Sequence, residues 1–462
     1  MTAKSEQWVH MVGIAGAGMS GIAKVLREQG VRVSGSDLQT NGITSQLRNI
    51  EVKVYNGHSS SNIEEGVDLL VISSAIPSDN VEVQAALERN IPVIKRGQML
   101  ARLVNAQLGL AVAGAHGKTT TTSMLYAALV GCELDPTLIV GGEIQGTHLN
   151  ARLGKNEYFV VEADESDASF LELKPFAAIV TNIENDHLDF YESIERIQEA
   201  FYQFLDQVAP DGFALLYGGD PYLRTLKGAL STRVLLYGED NDFDYYLANW
   251  QPVGMGAKFD VYCRQQFLGE VRLSIPGKHN ALNALASLAA ALELGQDFDK
   301  ACMALQAFPG AKRRFQVLAA SDTITIVDDY AHHPTEIKAT LEAIRQFHPG
   351  RTIAVFQPHR YSRTELLYEE FGESLQNADL VVVTDIYSAG ERPIKNITGE
   401  IIQQAAIRAG CNAVYIPDLK DVEGYLVARL QLNDLVITMG AGNVWELGVR
   451  LAQRLLESNP VA

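Results

Sequence analysis

The feature that most constrains the fold is the stretch Leu110-Ala-Val-Ala-Gly114-Ala115-His116-Gly117-Lys118-Thr119-Thr120-Thr-Thr122. A short apolar run that suits a buried strand breaks into glycines, a lysine and four threonines, and a helix-like segment from Ser123 to Val130 follows. Glycines let backbone N–H groups turn toward a phosphate, the new helix aims its positive dipole end at the same point, and Lys118 adds a full charge. A hydroxyl directly after the lysine is where a Mg²⁺ ligand sits in phosphate-binding loops, which makes Thr119 the candidate. The spacing falls short of the eight-residue loop pattern, since Val112 stands where its first glycine would be. With a strand before and a helix after, nucleotide binding is favoured over an ordinary glycine-rich turn.

Apolar runs of four to six residues alternate with helix-period segments nearly throughout, which predicts an α/β protein with parallel sheets. At 462 residues the chain has room for about three domains, drawn here as 1–104, 105–313 and 314–462. Strands are expected at Trp8–Ala15, Val31–Gly35, Leu69–Ser73 and Pro92–Ile94 in the first block. The middle block has Tyr158–Val161 and Ala177–Thr181, then a strand-rich stretch from Gly212 to Ile275. The last block reads as a doubly wound sheet, with strands at Thr323–Val327, Thr352–Phe356, Leu380–Thr384, Ala413–Ile416 and Asp434–Met439. A net charge of −18 argues against a nucleic-acid duplex as partner but leaves room for small phosphorylated ligands in a local positive pocket. Four scattered cysteines, no signal peptide and no apolar run near the roughly 20 residues of a membrane helix predict a cytoplasmic protein without membrane insertion.

Gly16, Gly18 and Gly21 form GxGxxG between a strand and a helix, and Asp37 ends the next strand. That spacing matches a dinucleotide-type fingerprint, in which the acid takes ribose hydroxyls, with a structural turn as the alternative. The strand Tyr158–Val161 runs into Glu162, Asp164, Glu165 and Asp167, and the strand ending at Thr181 runs into Asn182, Glu184, Asp186 and His187. Ligands in α/β sheets sit at the carboxyl ends of strands, so Glu162 and His187, read as ends of neighbouring strands, are metal candidates. Each acid taken singly suits a solvated strand end equally well. Asn280 and Asn283 share one face of a helix start, where a cap is the plainer role and contact with a base edge the sharper one. Arg313 and Arg314 either face solvent or place a charge on a transferring phosphoryl group. Two dense polar runs, Asp328-Asp329-Tyr330-Ala-His332-His333-Pro334-Thr-Glu336 and Gln357-Pro-His359-Arg360-Tyr-Ser-Arg363-Thr364, are hard to explain as core filling.

Taken together and in order, these motifs resemble the Mur ligases over essentially the whole chain. The resemblance implies an N-terminal Rossmann-like domain for a UDP-sugar, a central P-loop ATPase domain and a C-terminal Rossmann-like domain. It also accounts for the shortened phosphate loop. It implies an ATP- and Mg²⁺-dependent ligase of the alanine-adding branch, joining L-alanine to the carboxylate of UDP-N-acetylmuramate, as monomer or homodimer. By position, Gly114, Ala115, His116, Gly117, Lys118, Thr119 and Thr120 would cradle ATP, with Thr119, Glu162 and His187 around Mg²⁺. Asn280 would meet adenine, Asp329 the ribose and Arg314 the γ-phosphate. Gly16, Gly18, Met19, Ser20, Asp37, Ser73 and Ser74 would take the UDP part, and His332, Arg360 and Arg363 the alanine. Ala115 and Asn443 depart from residues common in the family. The C-terminal domain is expected to swing about a hinge near Arg314. Rival readings are a ligase that joins a preformed peptide to the same sugar, an NAD-dependent oxidoreductase resting on GxGxxG alone, and a nucleotide-switched binding module.

Overall fold

The computed structural model describes residues 7–39, 42–147, 149–186, 188–321 and 324–458. The chain forms two compact units. One comprises Met1–Ala248, Asp260–Val271 and Leu282–Phe308, the other Asn249–Phe259, Arg272–Ala281 and Pro309–Ala462.

The first unit opens with β1 (Trp8–Val12), β2 (Arg32–Asp37), β3 (Lys53–Asn56), β4 (Leu69–Ile72) and β5 (Val93–Lys95), all parallel, in the order β3-β2-β1-β4-β5. β1 is buried along its whole length, as expected of a central strand covered on both faces, and its sequence is apolar apart from His10. The winding direction reverses between β1 and β4. That switch point opens a crevice beyond their carboxyl ends, where the glycine loop after β1 and the serines after β4 lie. Gly21 is the packing glycine of the fingerprint: a Cβ there would stand 3.3 Å from that of Ala151 and 3.4 Å from Ile139. The helix Ala17–Glu28 therefore rests on the neighbouring sheet as well as on its own, and Lys24 Nζ donates to Asn150 Oδ1 at 2.7 Å across that seam.

That neighbouring sheet contains β6 (Leu108–Ala113), β7 (Thr137–Ile144), β8 (Leu149–Arg152), β9 (Tyr158–Glu162), β10 (Ala177–Val180), β11 (Phe213–Tyr217) and β12 (Arg233–Gly238) in the order β8-β7-β9-β6-β10-β11-β12. Only β8 runs antiparallel among these. β13 (Tyr245–Val253), β14 (Gly256–Cys263) and β15 (Gln266–Leu273) continue the order past β12, and their residues are divided between the two units. One expectation is corrected here. The strands leading to Glu162 and to His187 are not neighbours: β6 lies between β9 and β10, so the phosphate loop is flanked by a polar strand end on each side.

The second unit is built on β16 (Gln316–Ala320), β17 (Ile324–Asp329), β18 (Thr352–Phe356), β19 (Leu380–Val383), β20 (Ala413–Tyr415) and β21 (Asp434–Met439), in the order β16-β17-β21-β18-β19-β20. All pairs are parallel except β16 with β17. Side chains alternate between two cores: Val327, Ala354, Phe356, Val381 and Ile437 enter one, while Ile326, Ile353, Val355, Val382 and Val436 enter the other. The strand ends carrying His332 and Arg360 are also not adjacent, because β21 separates β17 from β18.

Candidate active site

The helix after β6 spans Lys118–Gly131 and begins five residues ahead of the expected Ser123. Gly117 caps it at φ 85°, and Gly114 sits at φ 131°, both in territory that side chains disfavour. A Cβ on Gly117 would lie 2.8 Å from Asn283 Oδ1, so the loop has no room for one. Asn182, just past β10, holds the loop from behind: its Oδ1 accepts from His116 N–H at 2.9 Å and its carbonyl from Ala115 N–H at 3.1 Å. His116 Nε2 lies 3.3 Å from Glu184 Oε2, and Thr120 is buried in the helix.

Lys118 Nζ donates to the Gly114 carbonyl at 2.6 Å and to Ala115 O at 3.2 Å, and pairs with Glu165 Oε1 at 2.6 Å. Glu165 carries no signal in the sequence beyond standing in an acid-rich strand end. Burial pushes its carboxyl up to about 7 despite the facing ammonium. Burial also works against the Lys118 charge, but the surrounding carboxylates, Glu165 foremost, outweigh it and raise the lysine. Tyr191 OH donates to the Glu165 carbonyl at 2.6 Å and fixes that turn. Thr119 Oγ1 lies 3.1 Å from both carboxylate oxygens of Glu162, whose Oε2 also accepts from Gly141 N–H at 2.8 Å. Thr119 and Glu162 thus offer a hydroxyl and a carboxylate at one point, a hard-oxygen donor set that suits Mg²⁺. His187 lies outside the described residues.

Gly16, Gly18, Met19, Ser73 and Ser74 line a cleft of about 310 Å³ whose lining also includes Glu162 and Asp164. Two further expected members of this set make hydrogen bonds within the protein. Asp37 Oδ2 accepts from Ala15 N–H at 2.9 Å, bracing the glycine loop, and Ser20 Oγ donates to Ala17 O at 3.0 Å inside the helix.

In the second unit, Arg314 donates to Glu336 Oε1 at 3.3 Å and its guanidinium stands 5.1 Å from the Tyr330 ring centre. The other Glu336 oxygen accepts from the backbone N–H of His332 at 2.9 Å, so one carboxylate joins the arginine to the histidine loop. Asp329 is buried and accepts from Phe315 N–H at 2.8 Å and Ala331 N–H at 2.7 Å; burial pushes its carboxyl up to about 6. Burial, and then electrostatic interaction with His332, Arg363 and Arg360, holds His359 down to about 3. The His332 and His359 ring centres are 5.9 Å apart. Arg360 caps the helix Tyr361–Ser374 at φ 70°. Asn280 is buried and its Nδ2 donates to Pro276 O at 2.6 Å.

Comparison with known proteins agrees with this arrangement of parts. Residues 8–108 match the Mur ligase family catalytic domain, 112–291 the Mur ligase middle domain and 313–442 the Mur ligase glutamate ligase domain. A UDP-N-acetylmuramate–L-alanine ligase of Syntrophomonas wolfei is 58% identical over 455 residues, covering 98% of both chains. The chain belongs to the Mur ligase family. A second UDP-N-acetylmuramate–L-alanine ligase, from Desulforamulus reducens, is 48% identical over 97% of this chain and 98% of its own. Among solved Mur ligase structures, the UDP-N-acetylmuramate–alanine ligase MurC of Thermotoga maritima superposes with a TM-score of 0.84 at 29% identity, covering 97% of this chain and 99% of that one. A murein peptide ligase from Psychrobacter arcticus follows with a TM-score of 0.71 at 26% identity, covering 99% and 100%. Of the two departures from the Mur ligase pattern, Asn443 is absorbed locally, its Oδ1 accepting from Gln357 Nε2 at 2.9 Å. Ala115 contributes its backbone to the loop. Among the described residues no helix is long and apolar enough to cross a membrane.

Proposed function

We propose that this Mur ligase uses ATP to join L-alanine to the carboxylate of UDP-N-acetylmuramate through an acyl phosphate. The observation that carries the reading is the shared cleft: it is lined both by the dinucleotide-type glycine loop and by Glu162, the residue that meets Thr119 of the phosphate loop. A sugar nucleotide held by the glycine loop would present its carboxylate to ATP held by the phosphate loop. An oxidoreductase has no use for that second nucleotide loop.

In the first step a muramate carboxylate oxygen attacks the γ-phosphorus and ADP leaves. The amine of L-alanine then attacks the acyl carbon, the C–O bond to phosphate breaks, and the nitrogen gives up a proton. Negative charge builds on the phosphoryl oxygens and then on the carbonyl oxygen, so the step needs fixed cations more than an acid–base pair. Lys118 is held at the phosphate loop and Arg314 is oriented by Glu336 and Tyr330 in the second unit. Both are assigned to the phosphoryl group. Thr119, Glu162 and His187 are assigned to Mg²⁺, which when bound would neutralise phosphate charge. His332, Arg360 and Arg363 are assigned to alanine, since guanidinium forks match a carboxylate in two-pronged fashion. Asn280 and Asp329 are assigned to the adenosine. Gly16, Gly18, Met19, Ser20, Asp37, Ser73 and Ser74 are assigned to the UDP-sugar. The functional domains proposed are 1–104, 105–313 and 314–462.

The test is phosphate release from ATP with UDP-N-acetylmuramate, each amino acid being supplied separately. Release that requires both the sugar nucleotide and L-alanine is expected. Release independent of either would overturn the reading in favour of a nucleotide-switched binding module, and release with a preformed peptide but not alanine in favour of peptide ligation.

A further inference from the structure

Arg96 belongs to no motif, yet it opens the helix Arg96–Val104 directly after β5 and lines the cleft beside Gly16, Gly18, Ser73 and Ser74. Its side chain is only 16% exposed. Its ion pairs are long and leave from a single nitrogen: Nη2 is 3.3 Å from Asp164 Oδ2 and 3.5 Å from Asp167 Oδ2. Nη1 and Nε make no hydrogen bond among the described residues. The two acids are themselves partly open to solvent, with side chains 41% and 33% exposed, and each is held through its other oxygen by a backbone N–H, of Ser166 at 3.1 Å and Ser169 at 3.0 Å. A guanidinium carries five donors, and a buried one is ordinarily saturated with short bonds.

The glycine loop explains where the remaining donors point. A Cβ on Gly18 would stand 3.0 Å from Arg96 Nη1 and 3.2 Å from Cδ, so the arginine rests against the very turn whose glycines allow a diphosphate to approach backbone. That loop offers only N–H groups, and the first turn of its helix bears no charged residue. Of the residues lining the cleft, Arg96 alone is basic, whereas Glu162 and Asp164 are acidic. In a chain of net charge −18, a diphosphate entering this cleft would face like charge from these acids and needs a cation beside it.

We propose that Arg96 binds the diphosphate of the UDP-sugar, and that Asp164 and Asp167 are placeholder counter-ions that hold its guanidinium until the diphosphate takes their place. This rests on the reading of the glycine loop as the UDP-sugar site. Arginine suits the task because its planar fork can engage a phosphate in two-pronged fashion while Nη2 stays near the acids.

The test measures dissociation constants of the intact protein for UDP, uridine, ADP and UDP-N-acetylmuramate by calorimetry. Arg96→Met should weaken UDP and UDP-N-acetylmuramate together, by about 30-fold or more, as expected when one partner of a buried charge pair is truncated. Uridine and ADP should stay within about twofold, and Arg96→Lys should recover part of the loss. Asp167→Asn should tighten UDP by about threefold, since it removes a competing charge yet keeps the Oδ1 that accepts from Ser169 N–H at 3.0 Å. The assignment is overturned if UDP binds wild type and Arg96→Met equally, if uridine falls in parallel, or if only UDP-N-acetylmuramate weakens, which would put Arg96 on the sugar's carboxylate. Wild-type protein that does not bind UDP at all overturns the nucleotide reading of the glycine loop first, and this proposal with it.

Discussion

Lys118 is useful to ATP only if it is charged and close, and Glu165 secures both at the cost of a buried carboxylate. The 2.6 Å pair keeps the ammonium charged and pinned above the Gly114 carbonyl before any phosphate arrives. Removing the lysine alone leaves Glu165, 4% exposed, without its cation, a situation that costs about 3–5 kcal/mol in comparable buried pairs. Lys118→Ala should therefore lower turnover by about 10²–10³-fold and also lower the melting temperature, with UDP affinity unchanged. Adding Glu165→Gln should restore the melting temperature but not the turnover. Phosphate-release assays, melting curves and UDP calorimetry check the three parts, and equal loss of UDP and ADP affinity would contradict the separation of the two nucleotide sites. His279 supplies the pH prediction for the second unit. Burial, reinforced by Arg314 and opposed by Glu336, holds it down to about 4, against 6.5 in its ordinary state. The unfolded chain thus binds the extra proton first, and this residue's contribution to stability is complete above pH 6.5 and drains away as pH falls toward 4. Asp329, raised to about 6, works in the opposite sense: its contribution is lost as pH rises from 3.8 through 6. His279→Gln should accordingly gain up to about 3 kcal/mol relative to wild type between pH 7 and pH 4.5, read as the difference in urea midpoints. A constant difference across that range would refute the assignment.

At the scale of elements, the turn between β6 and its helix depends on two glycines. Gly117→Ala would force a side chain into φ 85°, costing about 1–2 kcal/mol, and press a methyl onto Asn283 Oδ1. ADP affinity should fall at least tenfold while UDP affinity holds; an unaltered ADP dissociation constant would show that the loop does not carry the phosphates. This turn was readable from the sequence because every device in it is local: apolar run, glycines, lysine, hydroxyl. The same holds for β18, β21 and the helix Pro334–Phe347, whose ends fall where the pattern changes. Strand order was not readable. Nothing near Glu162 or Ala177 announces that β6 runs between their strands, nor anything near Asp328 or Phe356 that β21 does, since pairing between parallel strands is decided by packing far along the chain. The β7–β8 hairpin was missed for a related reason: it forms the edge of the sheet, where alternation is weak. Arg96 and Glu165 escaped because an isolated charged residue has no pattern; only burial and neighbours distinguish it. The helix start was misplaced by five residues because threonine runs read poorly as helix, whereas glycine capping and burial of Thr119–Thr122 override that propensity.

At the scale of the whole molecule, the groups assigned to metal belong to the first unit, while those assigned to alanine belong to the second, together with Arg314. Substitutions in the two sets should then act on different substrates. Glu162→Gln keeps an acceptor for Thr119 Oγ1 and Gly141 N–H but loses a charge, so it should raise the Mg²⁺ concentration for half-maximal activity and leave the KM for alanine within about twofold. An unshifted Mg²⁺ titration would remove Glu162 from the metal site. Arg360→Lys is the mirror experiment. The backbone at 360 is held independently of the side chain: its N–H donates to Tyr387 O at 2.9 Å, and its carbonyl accepts from Thr364 Oγ1 at 2.8 Å. The variant should therefore fold normally, keep its positive charge and lose only the planar fork. A charge-assisted hydrogen bond contributes about 1.5–3 kcal/mol, which corresponds to a rise of about 10- to 150-fold in the KM for alanine if alanine dissociates faster than it reacts. The KM for ATP and the dissociation constant of ADP should stay within about twofold, and the effects of the two substitutions should add on a logarithmic scale. Steady-state kinetics with each substrate varied in turn, in both single variants and the double, measures all of these. Equal effects of Arg360→Lys on both substrates, or none on alanine, would return that arginine to the nucleotide or to the fold and leave His332 and Arg363 to account for alanine recognition.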